Sequence, residues 1–232
     1  ARLSVRNVLK KGGVLVGFHE KRSSYVAVMD SCRVLPPAVS ALIPRLKQLV
    51  GAMSRPDRLP QIEVAIGEGQ NVLELRNVGR LIADDEGKLC RYAEAHGVLS
   101  YLEPGGPDTV ALFHPADAPP LEYRLPDFGV SLRFRPTDFT QVNHGINRML
   151  VRRAMSLLQP RSGERIGDLF CGLGNFTLPI ATAGARVVGV DALTEERLAA
   201  PLRAAHEEGA AGDVGVHHAK ELLKALGEPR PV

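Results

Sequence analysis

The sequence has little of what marks a disulfide-stapled or a membrane-spanning protein. Three cysteines, Cys32, Cys90 and Cys171, are spread over 232 residues, too sparsely for a disulfide framework. This cysteine usage favours a reducing compartment, so we expect a cytoplasmic protein. No apolar run is long enough to span a bilayer, and we expect no membrane partner. No secretory leader is visible, and the first residue is Ala1 rather than methionine, which leaves the true start open.

The charge is nearly balanced, which excludes little. The formal net charge is +3 and the sequence pI is about 8.9, values compatible with nucleic-acid binding. The basic residues gather in two groups. The first group is Arg2, Arg6, Lys10, Lys11, Lys21, Arg22 and Arg33, and the second is Arg133, Arg135, Arg148, Arg152 and Arg153. Each group taken alone fits a solvated basic face as well as it fits contacts to phosphates.

The pattern of apolar residues divides the chain into two regions. Residues 1–136 show short alternating runs that predict antiparallel strands, a hairpin turn at Lys11–Gly13 and a helix at Asp84–His96. We therefore expect an α+β domain there. Residues 137–232 instead alternate helical patterns with short apolar runs, which is typical of an α/β domain. A chain of 232 residues is long enough for both domains.

Four further elements are predicted by periodicity and by their start signals. In the first region Pro36 and Pro37 open a helix that continues through Val50. In the second region a helix is expected from Asn147 to Leu158 and another from Glu195 to Glu208. A short strand is expected at Val214–Val216.

The stretch from Arg165 to Asp191 predicts one βαβ unit. A first apolar run ends in Asp168, a turn follows at Gly172 and Gly174, and a second apolar run closes on Asp191. Glycine tolerates positive φ and has no Cβ, so a ligand can approach the backbone of this turn. Asp191 follows the turn by roughly 20 residues, the spacing of an acid that binds ribose hydroxyls. The two strands are therefore predicted to be parallel, with a nucleoside site at their carboxyl ends.

The third glycine of a dinucleotide-binding turn is absent, and Thr177 stands in its place. A turn that cradles no pyrophosphate suits a nucleoside with a short cationic tail better than NAD. The S-adenosylmethionine (SAM) methyltransferase version of this fold carries an acid at the end of its first strand, where this chain has Asp168. Two alternatives stay open, an ordinary βαβ unit without a ligand and a nicotinamide-dependent oxidoreductase on a Rossmann core.

Two segments together resemble a known family. Phe139–Asn143 reads Phe-Thr-Gln-Val-Asn, and Asp168–Pro179 reads Asp-Leu-Phe-Cys-Gly-Leu-Gly-Asn-Phe-Thr-Leu-Pro. Both are similar to the RNA 5-methyluridine methyltransferases, most closely the iron–sulfur enzymes that act on 23S ribosomal RNA. Asp30–Leu35 resembles the central domain of that family. The resemblance implies SAM-dependent methylation of uridine C5, a ribosomal RNA partner, and a Rossmann-like SAM domain at 137–232 that follows a central α+β domain at 1–136.

The resemblance also implies an iron–sulfur cluster that this chain does not complete. The family has an N-terminal oligonucleotide-binding barrel and a central domain with a 4Fe–4S cluster held by four cysteines. Cys32 matches the last of these ligands, and the other three would precede Ala1. One thiolate cannot hold such a cluster, so we expect the cluster in the full-length parent and not in this chain. The central region is thus interpreted as a remnant of the RNA-binding and iron–sulfur domain.

The family's catalytic residues have no match in this chain. In the family a cysteine adds to uracil C6, the C5 carbon then attacks the methyl group, and a glutamate removes the C5 proton. We expect that cysteine and that glutamate beyond Val232, and the chain is interpreted as a catalytically incomplete fragment. Cys171 is expected to pack within its turn, because the family has a cysteine there beside its separate nucleophile. Cys90 is expected in the core.

The cofactor residues implied by the resemblance carry over individually. Gln141 is expected at the methionine end of SAM, within the same segment as Asn143, and Asp191 is expected at the ribose. The full set is Gln141, Asn143, Asp168, Phe170, Gly172, Gly174, Asn175 and Asp191. Two alternatives to the methyltransferase remain. One is the nicotinamide-dependent oxidoreductase, which the missing third glycine disfavours, and the other is a non-catalytic RNA-binding module that uses the basic strands of residues 1–35.

Overall fold

The computed structural model describes residues 1–191 and the backbone of residues 214–218. The chain divides into two compact units, Ala1–Pro119 and Pro120–Val232. The division therefore lies earlier than the predicted boundary after residue 136. The cause is a strand pair at 121–134 that bonds to the second unit, since Arg152 Nε donates to Asp127 Oδ2 at 2.8 Å. The functions predicted for the two regions stay predictions.

A six-stranded sheet forms the first unit. Its strands are β1 (Arg2–Val8), β2 (Gly13–Gly17), β3 (Gln61–Gly67), β4 (Gln70–Arg76), β5 (Val98–Glu103) and β6 (Ala111–His114), in the order β2-β1-β3-β4-β5-β6. Neighbours are antiparallel except β4 and β5, which are parallel and are joined by a helix. The predicted hairpin at Lys11–Gly13 is confirmed, because β1 and β2 pair from Ser4–Gly17 to Val8–Gly13.

Helices cover one face of this sheet and bury its apolar side chains. They are α1 (Pro37–Ser40), α2 (Ile43–Gly51) and α3 (Ala83–His96). The single helix predicted after Pro36 is wrong, because it breaks between α1 and α2. Pro44 explains the break, since proline has no N–H to donate and suits the first turn of a new helix. The core includes Ile43 and Val50 of α2 at 0% exposure each and Leu89 of α3 at 1%.

The second unit holds the predicted βαβ arrangement. Its elements are β7 (Leu121–Leu125), β8 (Val130–Phe134), α4 (His144–Leu158), β9 (Arg165–Leu169), α5 (Thr177–Thr182), β10 (Arg186–Asp191) and β11 (Val214–His218). The described strands of the second sheet follow the order β11-β10-β9, and both pairings are parallel. The predicted parallel pairing and the third strand are thus confirmed. The helix predicted at Glu195–Glu208 lies outside the described residues.

Helix α4 starts earlier than the sequence pattern predicts. Asn143 caps its N-terminus, because its Oδ1 accepts a hydrogen bond from the Ile146 backbone N–H at 3.0 Å. The helix therefore begins at His144 rather than at Asn147. Across the part of the chain that the structure describes, no helix has the length and apolar character needed to span a membrane.

Candidate cofactor site

The turn between β9 and α5 contains three residues with positive φ. Phe170, Gly172 and Gly174 take φ values of 63°, 54° and 93°. Glycine adopts such values freely, whereas Phe170 does so at a steric cost, and its side chain is 86% exposed. The backbone N–H groups of Phe170 and Cys171 donate to the Val190 carbonyl at 2.6 and 3.1 Å. The turn is therefore fastened to the carboxyl end of the next strand.

Asp191 lies where the sequence places the ribose-binding acid. It ends β10, and its Oδ2 accepts a hydrogen bond from the Gly172 backbone N–H at 2.9 Å. The carboxylate is half-buried beside the turn. A nucleoside lying over Gly172 would thus meet a negatively charged acceptor. The contact to ribose itself stays a prediction.

Asp168 is held by the residue that stands in place of the third glycine. Thr177 is fully buried, and its Oγ1 donates to Asp168 Oδ2 at 2.6 Å. Burial raises the pKa of Asp168 above its usual range, the Thr177 hydrogen bonds oppose this, and the charge of Asp191 adds to it. Two carboxylates therefore end adjacent strands close enough to affect each other. Thr177 therefore has a role that glycine could not fill, because its hydroxyl orients the Asp168 carboxylate.

Cys171 packs within the turn and is not activated. Its side chain is 6% exposed. A Cβ placed on Gly189 would lie 3.0 Å from Cys171 Sγ, so the bare glycine of β10 makes the space for the sulfur. Burial, followed by the charges of Asp168 and Asp191, raises the pKa of the thiol to about 12. The thiol stays protonated at neutral pH, and the predicted packing role is confirmed.

Asn175 is locked into a network that reaches α4. Its Nδ2 donates to Asn147 Oδ1 at 2.9 Å, and its Oδ1 accepts from Asn147 Nδ2 at 2.8 Å. The Tyr123 hydroxyl donates to the same Asn175 Oδ1 at 3.2 Å. The side chain therefore positions the turn, and its predicted place near the methionyl group of a cofactor stays a prediction.

The segment before α4 contributes less than the turn. The Oδ1 of Asn143 accepts the hydrogen bond that caps α4. Asn143 therefore stabilises the helix start, and its predicted contact to the cofactor stays a prediction. Gln141 is exposed, and within the described residues no hydrogen bond joins it to the turn. The structure thus brings together Asp168, Gly172, Gly174, Asn175 and Asp191, and it leaves the place of Gln141 to prediction.

Comparisons with known proteins decide between the open alternatives. The family model described as tRNA (Uracil-5-)-methyltransferase matches residues 122–222. A relative from Aromatoleum aromaticum, named 23S rRNA (uracil(1939)-C(5))-methyltransferase RlmD, is 53% identical over 98% of this chain and 54% of its own length. A relative of the same name from Nitrosospira multiformis is 60% identical over 82% of this chain and 44% of its own length.

This chain belongs to the RNA (uracil-5-)-methyltransferase family. It spans about half the length of the curated relatives that it matches. The crystal structure of Pyrococcus abyssi tRNA (uracil-54, C5)-methyltransferase in complex with S-adenosyl-L-homocysteine aligns with a TM-score of 0.66 and 20% identity. The alignment covers 94% of this chain and 54% of the Pyrococcus abyssi chain, and it confirms the predicted α/β, Rossmann-like methyltransferase fold.

Cys32, the predicted cluster ligand, belongs to no potential metal site among the described residues. Cys32 is half-buried, it packs against the core of the first unit, and its backbone N–H donates to Ser40 Oγ at 2.8 Å. Over residues 1–191 no group of three or more histidine, cysteine or acidic side chains could hold a metal ion. Cys90 is half-buried on α3 rather than in the core, contrary to the prediction.

Sequence reasoning missed three residues of the site, Asn147, Thr177 and Tyr123. Asn147 did carry a signal, because it lies on the same face of α4 as the buried Val151 and is itself 2% exposed. A polar residue on an apolar helix face predicts a buried partner. Tyr123 carried no such signal, since its partner lies far along the chain.

Proposed function

We propose that this chain is the cofactor-binding part of a SAM-dependent methyltransferase that acts on uridine C5 in 23S ribosomal RNA. One observation carries the proposal: Asp168 and Asp191 end adjacent parallel strands on either side of a positive-φ turn. The names of the relatives support the ribosomal RNA substrate, and the family supports methyl transfer to uracil C5.

Electrostatics favours SAM over a nicotinamide cofactor. Burial and the charge of Asp191 raise the pKa of Asp168 and so disfavour its charged form. The sulfonium and ammonium of SAM would favour that charged form, whereas the pyrophosphate of NAD would disfavour it further. Asp191 would accept from the ribose hydroxyls, and the backbone of Gly172 and Gly174 would admit the methionyl group without a Cβ in the way.

The residues of this site bind and orient the cofactor but do not start the reaction. SAM supplies the methyl group when it is bound. Uracil C5 becomes nucleophilic only after a thiolate adds to C6, and the thiol of Cys171 is buried and protonated. We therefore infer that the nucleophile and the base that removes the C5 proton come from parts of the longer protein outside this chain.

Iron and localisation belong to the same proposal. We infer that Cys32 ligates a 4Fe–4S cluster in the full-length parent, together with cysteines that this chain does not contain. The described residues supply one thiolate and no further ligands, so they do not fit a cluster by themselves. Iron analysis of the purified chain after anaerobic reconstitution should find none. A reducing cytoplasm is the compartment that suits such a protein.

Calorimetry with S-adenosyl-L-homocysteine (SAH) and with NADH tests the proposal. We expect the chain to bind SAH weakly, because it spans about half the length of its curated relatives, and to bind NADH more weakly still. Asp191→Ala should reduce SAH affinity by about 1–3 kcal/mol, since it removes a charged acceptor. Asp117→Ala, which removes an exposed acid of the first unit, is the control. Preference for NADH, or equal losses in both variants, would exclude the proposed site.

A further inference from the structure

Helices α2 and α3 border a groove on the surface of the first unit. Its volume is about 370 Å³. The polar side chains that line it are Arg45, Gln48, Lys88, Arg91, Tyr92 and His96. These residues recur at three- and four-residue intervals along each helix, so each helix turns one stripe toward the groove. The cofactor site of the second unit uses none of them.

The groove is lined by basic and neutral side chains and by no acid. Lys88 is already engaged, because its Nζ bonds to Asp84 Oδ2 at 2.7 Å and to Asp85 Oδ1 at 3.1 Å. Arg45 and Arg91 are exposed and pair with no carboxylate within the described residues. The two guanidiniums therefore provide the positive charge that is available to a ligand.

Tyr92 adds a donor that has no partner. The side chain is 9% exposed, and its hydroxyl is buried without a hydrogen bond among the described residues. Burial raises the pKa of Tyr92, and the charge of Arg45, which lines the same groove, opposes that rise. A buried hydroxyl without an acceptor costs free energy, which a ligand oxygen would recover.

His96 completes the donor set at the end of α3. Its ring meets the ring of Tyr92 edge-on, with 4.4 Å between centroids. Burial and the charge of Arg45 lower the pKa of His96, so the ring is neutral at pH 7 and does not repel the arginines. The groove thus offers two guanidiniums, one phenolic hydroxyl and an imidazole within one shallow cavity.

We propose that this groove binds a phosphate group of the RNA strand that the methyltransferase modifies. The inference rests on the proposed function for its source of phosphate, and on the groove alone for its chemistry. Guanidinium groups match phosphate oxygens in pairs, and a hydroxyl that donates but has no acceptor suits an oxyanion. A contact to the phosphate backbone would help to hold the RNA without reading its sequence.

RNA binding by the purified chain tests the groove. The probe is a fluorescein-labelled oligouridylate, and anisotropy is measured over a range of salt concentrations. Arg45→Ala with Arg91→Ala should weaken binding by about tenfold and reduce the salt slope by about 0.7, the value for one phosphate contact. Tyr92→Phe should weaken binding by about threefold at unchanged net charge. Arg55→Ala with Arg80→Ala is the matched control, because it removes two exposed arginines that do not line the groove.

The outcomes separate the groove from its alternatives. A loss in the groove variants that exceeds the loss in the control supports the phosphate site. Displacement of the oligouridylate by equimolar inorganic pyrophosphate would assign the groove to free phosphates and overturn the assignment to the RNA strand. Equal losses in groove and control variants would overturn it, as would displacement by an acidic peptide at the same concentration. SAH affinity, measured in parallel, tests the proposed function separately.

Discussion

Asn147 of α4 and Asn175 of the cofactor turn exchange two side-chain hydrogen bonds, of 2.8 and 2.9 Å. Each amide thus satisfies both a donor and an acceptor of the other. Because Asn147 is 2% exposed, water cannot replace its partner. The pair fixes the distance between the helix and the turn, and so it determines where the backbone after Gly174 lies.

Removal of Asn147 should loosen the turn as well as the fold. Asn147→Ala leaves the Asn175 amide without its partner, and we expect a loss of about 1–3 kcal/mol in the free energy of unfolding. Urea denaturation measures this, and SAH affinity should fall in the same variant. Asn7→Ala, at an exposed position of β1, should change stability by less than about 0.5 kcal/mol. A wild-type unfolding curve for Asn147→Ala would show that the pair has no structural role.

Thr177 should set the ionisation of Asp168. Thr177→Val keeps the shape but removes the donor to Asp168 Oδ2, so the pKa of Asp168, already raised by burial, should rise further. Thr177→Ser retains the hydroxyl and is the control. Carboxyl carbon shifts followed by NMR during a pH titration give the pKa directly. An Asp168 pKa that is the same in the valine and serine variants would contradict this role for the hydroxyl.

Glu74 should make the stability of the first unit fall as pH rises. Burial, followed by the charges of Glu63 and Glu103, raises the pKa of Glu74 from 4.5 to about 7. Between these two pH values the unfolded chain has lost the proton and the folded chain retains it. Folding therefore becomes less favourable across this interval, and the loss is complete above about pH 7.

A neutral side chain at position 74 should remove that dependence. Glu74→Gln should raise the free energy of unfolding above pH 7 relative to wild type and should give no gain near pH 4.5. Thermal unfolding across this range measures the difference. Glu20→Gln, at an exposed position, is the control for the change in net charge. Parallel pH profiles for wild type and Glu74→Gln would mean that the buried carboxyl is not the source.

Cys171 should be chemically silent. Because burial raises the pKa of the Cys171 thiol to about 12, the thiol is protonated at pH 7 and addition to uracil C6 is not expected. Residues 1–232 should release no tritium from C5-labelled RNA in the presence of SAM, whereas full-length protein should. Turnover by the chain that disappears in Cys171→Ser would overturn this assignment and make Cys171 the nucleophile.

The parts of the fold that repeat a local period could be read from the sequence. Alternating apolar residues predict the β1–β2 hairpin, and the strand–turn–helix–strand order predicts the parallel pairing of β9 with β10. The sequence pattern does not predict the break before α2, because the apolar spacing continues on both sides of Pro44. The start of α4 was missed because Asn143 was assigned to the cofactor and not to a helix cap.

The site was predicted where it depends on backbone conformation and strand ends. Gly172, Gly174 and Asp191 occupy positions that one segment of sequence specifies. Asn147 and Tyr123 could not be placed, because each meets Asn175 only after elements distant in sequence have packed. The spacing of the glycines shows Thr177 only as the absence of a third glycine, because residue spacing does not predict that the Thr177 hydroxyl bonds to Asp168.

The Cys171 sulfur occupies the space beside Gly189 into which a side chain at position 189 would extend, although the two residues are 18 positions apart in the sequence. A Cβ at position 189 would lie 3.0 Å from that sulfur, so the sulfur would have to shift by a few tenths of an ångström to admit it. Evolutionary change at one position should therefore be accompanied by change at the other. Gly189→Ala should lower the free energy of unfolding, and Cys171→Gly in the same chain, which removes the sulfur, should restore part of the loss.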